Sequence, residues 1–410
     1  MSARAAVIVG AGPVGLTLAL GLSRAGIGTV VLEKGDRGTV VTWKGSTIHP
    51  PTLELLDQLG LAAAMVGAGV AVHRLQYRDS ELDEYAELDF SLLREHTAFP
   101  FRFQFEQYKL LDLLRSACDA EPGVDVRYRS QVVRVDETDS AAPAAVVRHK
   151  DSGEQYIERA DVLVGADGAH SDVRNALGID FEGMTYPDRN AVLATDYDLT
   201  QVARDLGPVS YWTSPQGKLS LIRTPDHWRI AMALPGSTAA EDAALFGRNR
   251  LHSMFGLPMD LSLNQAATYR IHQRVAATLN TECICLIGDA AHINSPTGGL
   301  GLNSGIHDAF DLVARLSAAA RVEAALAEYS QVRASVARLV VQQISGQNTA
   351  MAATRERASR EQTVRRLRMI ASDSSQATDY LLRVSMIEAA RAYPPGTSNV
   401  AVDSAAGDMR

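Results

Sequence analysis

The chain has 410 residues, 46% hydrophobic and 21% charged, enough to bury a large core and to divide into two or more domains. Its formal net charge of -8 argues against a nucleic-acid partner, because such proteins present a basic surface that displaces counterions. No apolar run approaches the roughly 20 residues of a membrane span, and Cys118, Cys283 and Cys285 form no CxxC pair, so they read as reduced core residues of a cytoplasmic protein.

The run AAVIV at 5–9 predicts a short buried strand, followed by a glycine-rich turn and a helix over 16–24 that stops at Gly26. TVVLE then predicts a second strand ending at Glu33, which makes a βαβ opening and calls for a parallel sheet. The glycines inside this apolar start mark it as part of the fold rather than a leader. From Val70 to Phe105 the pattern becomes short, aromatic and alternating, and a helix resumes at Gln107. Strands follow to Gly165, and then a strand-rich stretch from about Phe181 to Gln273. CICLIGDAAH returns to a strand, a glycine loop and a helix, and the tail from about Leu326 predicts two or three helices. Its Arg-rich part reads as a solvated helical face with carboxylate partners.

Gly10, Gly12 and Gly15 form GxGxxG between strand and helix. The first permits the tight turn, the second lets backbone approach a pyrophosphate, and the third lets helix pack on strand. Pro13 and Val14 lie within the motif, at the helix N-terminus, whose free N–H groups and dipole favour phosphate. Glu33, with Lys34 after it, ends the second strand where a carboxylate accepts from ribose hydroxyls, which favours FAD or NAD over NADP. A second motif, VLVGADGAHSDVR, places Asp167 and Gly168 after an apolar strand and Arg174 in the next turn. A third, CICLIGDAAHINSPTGGLGLN, carries Gly288 and Asp289 at another strand end, then Gly298, Gly299 and Gly301, where backbone amides can approach a ring closely.

With these three motifs in this order, residues 5–320 resemble the class A flavoprotein aromatic hydroxylases, the family of para-hydroxybenzoate hydroxylase. The resemblance implies an α/β fold: a Rossmann-like FAD-binding domain of the GxGxxG type, an inserted mixed β-sheet substrate domain and C-terminal helices. The expected division is 1–70, 106–180 and 274–340 for FAD, 71–105 and 181–273 for substrate, and 341–410 for the helical segment. It implies that Gly10, Gly12, Gly15 and Glu33 hold the ADP half of FAD, that Asp167, Gly168 and Arg174 serve FAD and NADPH, and that Gly288 and Asp289 hold the ribityl chain. Pro296, Gly299, Leu302 and Asn303 would border the isoalloxazine, and Gln107 would contact it. Lys44 stands where the family has an Arg facing the phosphates; it keeps the charge but loses the planar fork, and a solvated loop lysine is the other reading. Val132 would meet adenine through its backbone, or serve as a plain strand valine. Where relatives often have two prolines before the glycines, only Pro296 remains.

The activity implied is NADPH- or NADH-dependent reduction of FAD, capture of O2 as a C4a-hydroperoxide and hydroxylation of a phenolic or hydroxylated heteroaromatic small molecule, by a monomer or homodimer. A single dinucleotide fingerprint leaves NAD(P)H to dock transiently. For the ring itself, His73, Tyr211, Arg223 and His272 are candidates by chemistry, His or Tyr for the phenolic proton and Arg for an anion, with Trp228 and Tyr269 beside them and Pro296 at the flavin loop. Each has a structural reading as well, and His292 reads as structural. Another FAD activity on the same scaffold, an epoxidase or reductase, and a non-catalytic flavin-binding accessory protein are the alternatives; a halogenase is disfavoured because WxWxIP is absent.

Overall fold

A computed structural model describes residues 4–38, 45–136 and 142–397, apart from 204, 236, 237, 264 and 354; Lys44 lies outside the described residues. The valine-rich opening forms the strand Ala5–Val9 at the middle of a six-stranded sheet, flanked on one side by Gly28–Leu32 and Val124–Arg127 and on the other by Val162–Gly165, Ile284–Leu286 and Asn280–Thr281. All neighbours pair in parallel except the last, an antiparallel edge. Strands covered on both faces are apolar throughout, and here Ile8, Val31, Leu163, Val164 and Leu286 are all buried. The sheet collects its strands from three separate stretches of chain.

The helix Pro13–Arg24 begins at a proline, whose fixed φ suits a first helical position, and packs against the 19-residue helix Leu300–Ala318. Gly21 permits this approach: an added Cβ would lie 2.8 Å from Val313.

The second large sheet has eight strands, running in order His292–Ile293, Gln265–Ala276, Phe181–Thr195, Trp228–Leu234, Leu219–Arg223, Val209–Thr213, Arg74–Asp79 and Ala86–Asp89. The third glycine motif thus leaves one sheet at Leu286 and enters the edge of the other at His292, which suspends the loop between the two. One face of this second sheet packs on a helix, Ala243–Phe255, inside the stretch that reads as strand-rich. The sequence AALFGRNRLHSMF hides that helix because its buried positions include Gly247 and Arg250, not only apolar residues.

The tail is more helical than its pattern suggests. It forms Val322–Val336, a π-helical turn Ala337–Val341, then Gln342–Ala353, Arg357–Ser372, Ser374–Val384 and Ile387–Ala392. Leu367, Ala377, Tyr380 and Leu381 of these helices bury against Leu75, Leu88 and Phe90 of the eight-stranded sheet's edge. Among the described residues no helix is long and apolar enough to cross a membrane.

Candidate active site

Parallel pairing puts the motifs on one edge. Val9 is level with Leu32 on one side and Gly165 on the other, and Gly165 is level with Leu286. Gly10, Glu33, Asp167 and Gly288 therefore leave the carboxyl ends of four adjacent strands, the edge at which open α/β sheets bind ligands.

At the first motif, Gly10 has φ +107, and an added Cβ would stand 2.6 Å from the Ala166 carbonyl oxygen; at Gly15 it would stand 2.1 Å from that of Gly10. Protein backbone enforces both glycines. Gly12 differs, since nothing lies within 4 Å of its would-be Cβ. The helix it begins has no side-chain cap and no acid in its first turn, so its amides face that open space. Glu33 closes the loop, its Oε2 accepting from Ala11 N at 2.8 Å and its Oε1 from Gly35 N at 2.6 Å. Lys34 points away, to Asp172 at 3.2 Å. Ser130 N donates to the Glu33 carbonyl at 2.9 Å, which brings the strand bearing Val132 beside the acid. Val132 itself is buried and pairs with Val147.

In the second motif Asp167 Oδ2 accepts from the amides of Asp172 and Val173 at 2.7 and 3.1 Å, while Oδ1 is buried with no partner among the described residues. A buried acceptor left open in this way fits a missing donor. Gly168 has φ +83. Arg174 is 5% exposed; it donates to the carbonyls of Ala290 and Ala169, each at 3.0 Å, and its guanidinium lies 3.9 Å from the centre of the Phe181 ring. Burial lowers its pKa.

In the third motif Gly288 has φ +58 and donates to Asp308 Oδ2 at 3.0 Å, while Asp289 is exposed. Asp308 also takes His292 Nε2 at 2.8 Å and Arg333 Nε at 2.7 Å. Burial alone would raise its pKa, but His292 and Arg333 outweigh that and hold it below the usual carboxylate range. His292 is thus a structural partner. Gly299 N closes a turn on the Pro296 carbonyl at 3.0 Å, and Gly298 and Gly299 have φ +101 and +74. Asn303, fully buried, clamps this turn: Nδ2 donates to Gly299 O at 2.6 Å and Thr47 O at 2.9 Å, and Oδ1 accepts from His49 N at 2.8 Å. Gly299 caps the helix Leu300–Ala318, which again has no side-chain cap and no acid in its first turn. Gln107 and Leu302 both approach Gly45, across from this turn; Gly301 sits by Asn294.

The arrangement fits FAD on three observations: open space at Gly12, an orphaned buried oxygen on Asp167, and two helix N-termini, at Pro13 and Leu300, without side-chain caps. Among the described residues no group of acids, His and Cys could hold a metal ion.

A cleft with about 650 Å³ of empty space, its mouth included, opens between the Thr297–Gly298 turn, the eight-stranded sheet and the C-terminal helices. Tyr211 lines it. Arg223, His272 and His73 do not: Arg223 ends its strand elsewhere, His272 Nδ1 pairs with Thr185 Oγ1 at 2.8 Å, and His73 is exposed against Phe101. Trp228 is buried in the core under the Ala243–Phe255 helix, and the Tyr269 hydroxyl takes an N–H from Asn190 at 3.5 Å. Sequence reasoning missed Tyr77, Arg102, Val364 and Leu367, which line the cleft. The alternation in FPFRFQF gave the signal for Arg102, a basic residue amid buried aromatics; nothing local marks the tail residues.

A sheet with glycine turns at the carboxyl ends of adjacent parallel strands, and a cleft walled in part by Thr297 and Gly298 of the third motif, is an arrangement that a dinucleotide cofactor fits. The chain belongs to the FAD binding domain family, whose model matches residues 4–344. It is 33% identical over 318 residues to 6-hydroxy-3-succinoylpyridine 3-monooxygenase of Pseudomonas putida (strain DSM 28022 / S16), covering 76% of this chain and 78% of that protein. It is 30% identical over 348 residues to para-nitrophenol 4-monooxygenase of Pseudomonas sp. (strain WBC-3), covering 80% and 82%. The crystal structure of p-nitrophenol 4-monooxygenase from Pseudomonas putida DLL-E4 superposes with a TM-score of 0.87 at 25% identity, over 94% of this chain and 98% of that one. The chain is thus similar to FAD-dependent aromatic monooxygenases along nearly its whole length, and it is an enzyme of that type.

Proposed function

We propose that this enzyme hydroxylates a phenolic or hydroxylated heteroaromatic small molecule, using NADPH or NADH and O2. The observation that carries the reading is the position of the Thr297–Gly298 turn, which belongs to the third nucleotide motif and also walls the cleft, so a ring bound there lies next to the flavin site. FAD, when bound, supplies the activation of O2 at the expense of NAD(P)H. The protein's part is to hold, orient and dry the ring. Gly10, Gly12, Gly15 and Glu33 would hold the ADP half, Asp167 and Asp289 the pyrophosphate-to-ribityl region, and Gln107, Pro296, Gly299, Gly301 and Leu302 the ring system, with Asn303 fixing the turn rather than touching the flavin. Arg174 supports the site from behind, joining two motifs through backbone carbonyls. The six-stranded sheet and its helices form the FAD-binding unit and the eight-stranded sheet the substrate unit, with the C-terminal helices completing the cleft. Tyr211, the one sequence candidate lining the cleft, is the residue to relay a phenolic proton.

The test is a screen of hydroxylated aromatics for stimulated NAD(P)H oxidation, with mass detection of a product carrying one added oxygen. Stimulation with only H2O2 released across the panel would overturn the reading. Asp289→Ala should release or loosen FAD while the protein stays folded, and a fully loaded variant would remove Asp289 from the site.

A further inference from the structure

The Thr297–Gly298 turn is gripped by two sets of contacts. One comes from the six-stranded sheet's side of the motif, where Asn303 holds the Gly299 carbonyl and His49 Nε2 lies 2.9 Å from the Gly298 carbonyl. The other is made of hydroxyls. Ser295 is fully buried; its Oγ accepts from Thr297 N at 3.4 Å and lies 3.2 Å from Thr297 Oγ1 and 2.7 Å from Thr349 Oγ1. Lys218, just before the strand Leu219–Arg223, donates from Nζ to Thr297 Oγ1 at 2.7 Å.

Thr349 and its neighbour Asn348 belong to the helix Gln342–Ala353. The Thr349 hydroxyl also donates to the Ser345 carbonyl at 2.7 Å, which fixes its direction. Asn348 Nδ2 reaches the Thr297 carbonyl at 3.5 Å and would stand 2.8 Å from a Cβ added at Gly298. Ile344 of the same helix buries with Leu300, the residue after the turn. The turn needs such a hold: Gly298 and Gly299 leave its backbone freer than other residues would, and only Pro296 stiffens it. The family model's match ends at residue 344, so Asn348 and Thr349 lie past it.

On the reading of this turn as the flavin seat and the cleft as the substrate site, we infer that Ser295 and Thr349 are positioning residues: they clip the turn to the helix Gln342–Ala353 and so fix the flavin seat relative to the cleft. A turn free to shift misplaces the two rings by a fraction of the distance that catalysis tolerates and lets water in. NAD(P)H, a proton and O2 then yield NAD(P)+ and H2O2 instead of NAD(P)+, water and a hydroxylated ring. The clip thus governs how much of the NAD(P)H consumed ends in product.

The experiment compares the FAD-loaded wild type with Ser295→Ala, Thr349→Val and Thr349→Ser. Amide hydrogen exchange, read by mass spectrometry, follows the peptide 294–301, with the peptide 7–16 of the first motif as control. Coupling is read as hydroxylated product and H2O2 per NAD(P)H, with 4-hydroxybenzoate and 3-hydroxypyridine as ring compounds. Ser295→Ala and Thr349→Val should speed exchange in 294–301 by about threefold or more, as loss of one hydrogen bond predicts, and leave 7–16 unchanged. Product per NAD(P)H should fall by about threefold or more, with H2O2 making up the difference. Thr349→Ser returns the hydroxyl and should restore both. Unchanged exchange, exchange raised equally in both peptides, or faster exchange in 294–301 with undiminished coupling overturns the proposal. If Ser295→Ala does not fold, the two Thr349 variants decide. If the wild type hydroxylates neither ring compound, the result counts against the hydroxylase reading and the clip is judged on exchange alone: a rise confined to 294–301 upholds it, and no rise overturns it.

Discussion

Arg174, from the second glycine-acid motif, donates through Nη1 to the carbonyl of Ala290 in the third at 3.0 Å. With Nη2 on the Ala169 carbonyl, one side chain ties together two turns that are more than a hundred residues apart. Its replacement by Met keeps the length of the chain and leaves both carbonyls short of a donor. Arg174→Met should lose about 2–4 kcal/mol of stability, the range for deleting charged hydrogen bonds that leave buried acceptors open. It should also bind FAD more weakly, because the two turns lose their register. Denaturant unfolding and flavin titration measure both, and wild-type values in both would show that the bridge does not set the site.

The glycines of the first motif separate packing from binding. Gly15→Ala drives a methyl into the Gly10 carbonyl 2.1 Å away and should destabilise the fold by about 1–3 kcal/mol. Gly12→Ala meets nothing within 4 Å, and its φ of -75 suits alanine, so unfolding should change by less than about 0.5 kcal/mol. FAD affinity should nonetheless fall, since the methyl fills the space through which backbone approaches a pyrophosphate. Gly12→Ala with wild-type FAD affinity in a titration would place the pyrophosphate elsewhere.

His49 and His307 are buried neutral histidines beneath the glycine turn. Burial, with the Arg102 charge, pushes His49 down to about 3 despite its bond to the Gly298 carbonyl at 2.9 Å; burial, with Arg333, does the same to His307, also to about 3, despite Asp308. Both folded pKa values are depressed below the unfolded value of 6.5, so the unfolded chain binds the extra protons in acid. The stability they contribute is present above pH 6.5 and declines from there toward 3, at about 1.4 kcal/mol per pH unit for each histidine. Replacing either one with Gln should lower the slope of stability against pH by about that amount between pH 6 and 4. An unchanged slope would mean that the histidine protonates in the folded state.

The motifs were legible because each depends on local chemistry. A strand end, a glycine in the left-handed region and one acid are adjacent in sequence, and period and spacing reveal them. Asn303 shows where that ends: its place in the loop was readable, but its use as a clamp on Thr47 and Gly299 depends on a contact across 256 residues. The cleft was harder still. Arg102 reaches Tyr211, and Tyr77 reaches Tyr380, only after the tail helices pack on the second sheet, and no periodicity reports which chain segments will meet. Chemistry alone nominated His73, Arg223 and His272, whose side chains lie outside the cleft lining. The helix Ala243–Phe255 escaped because a buried Arg250, bonded to the Gly217 carbonyl at 2.6 Å, breaks its apolar stripe.

A buried ion pair fastens the cleft's helical side to its sheet. Arg360, on the helix Arg357–Ser372, donates from Nε to Asp79 Oδ2 at 2.8 Å, and both side chains are almost wholly buried. Asp79 also accepts from the Thr213 hydroxyl at 2.7 Å, so this carboxylate joins two strands and one helix that line the cleft. Arg360→Met leaves Asp79 buried without its cation, which should cost about 3–5 kcal/mol. The helix carrying Thr363, Val364 and Leu367 then loses its anchor, and affinity for aromatic ligands should drop further than affinity for FAD, whose motifs leave the edge of a different sheet. Adding Asp79→Leu to Arg360→Met removes the unpaired charge and should recover part of the stability. It should not restore ligand affinity, because the polar link to Thr213 is lost with the carboxylate. Ligand titration and unfolding of both variants measure the two effects separately, and equal losses of FAD and aromatic ligand in Arg360→Met would show that the pair supports the whole fold rather than the cleft.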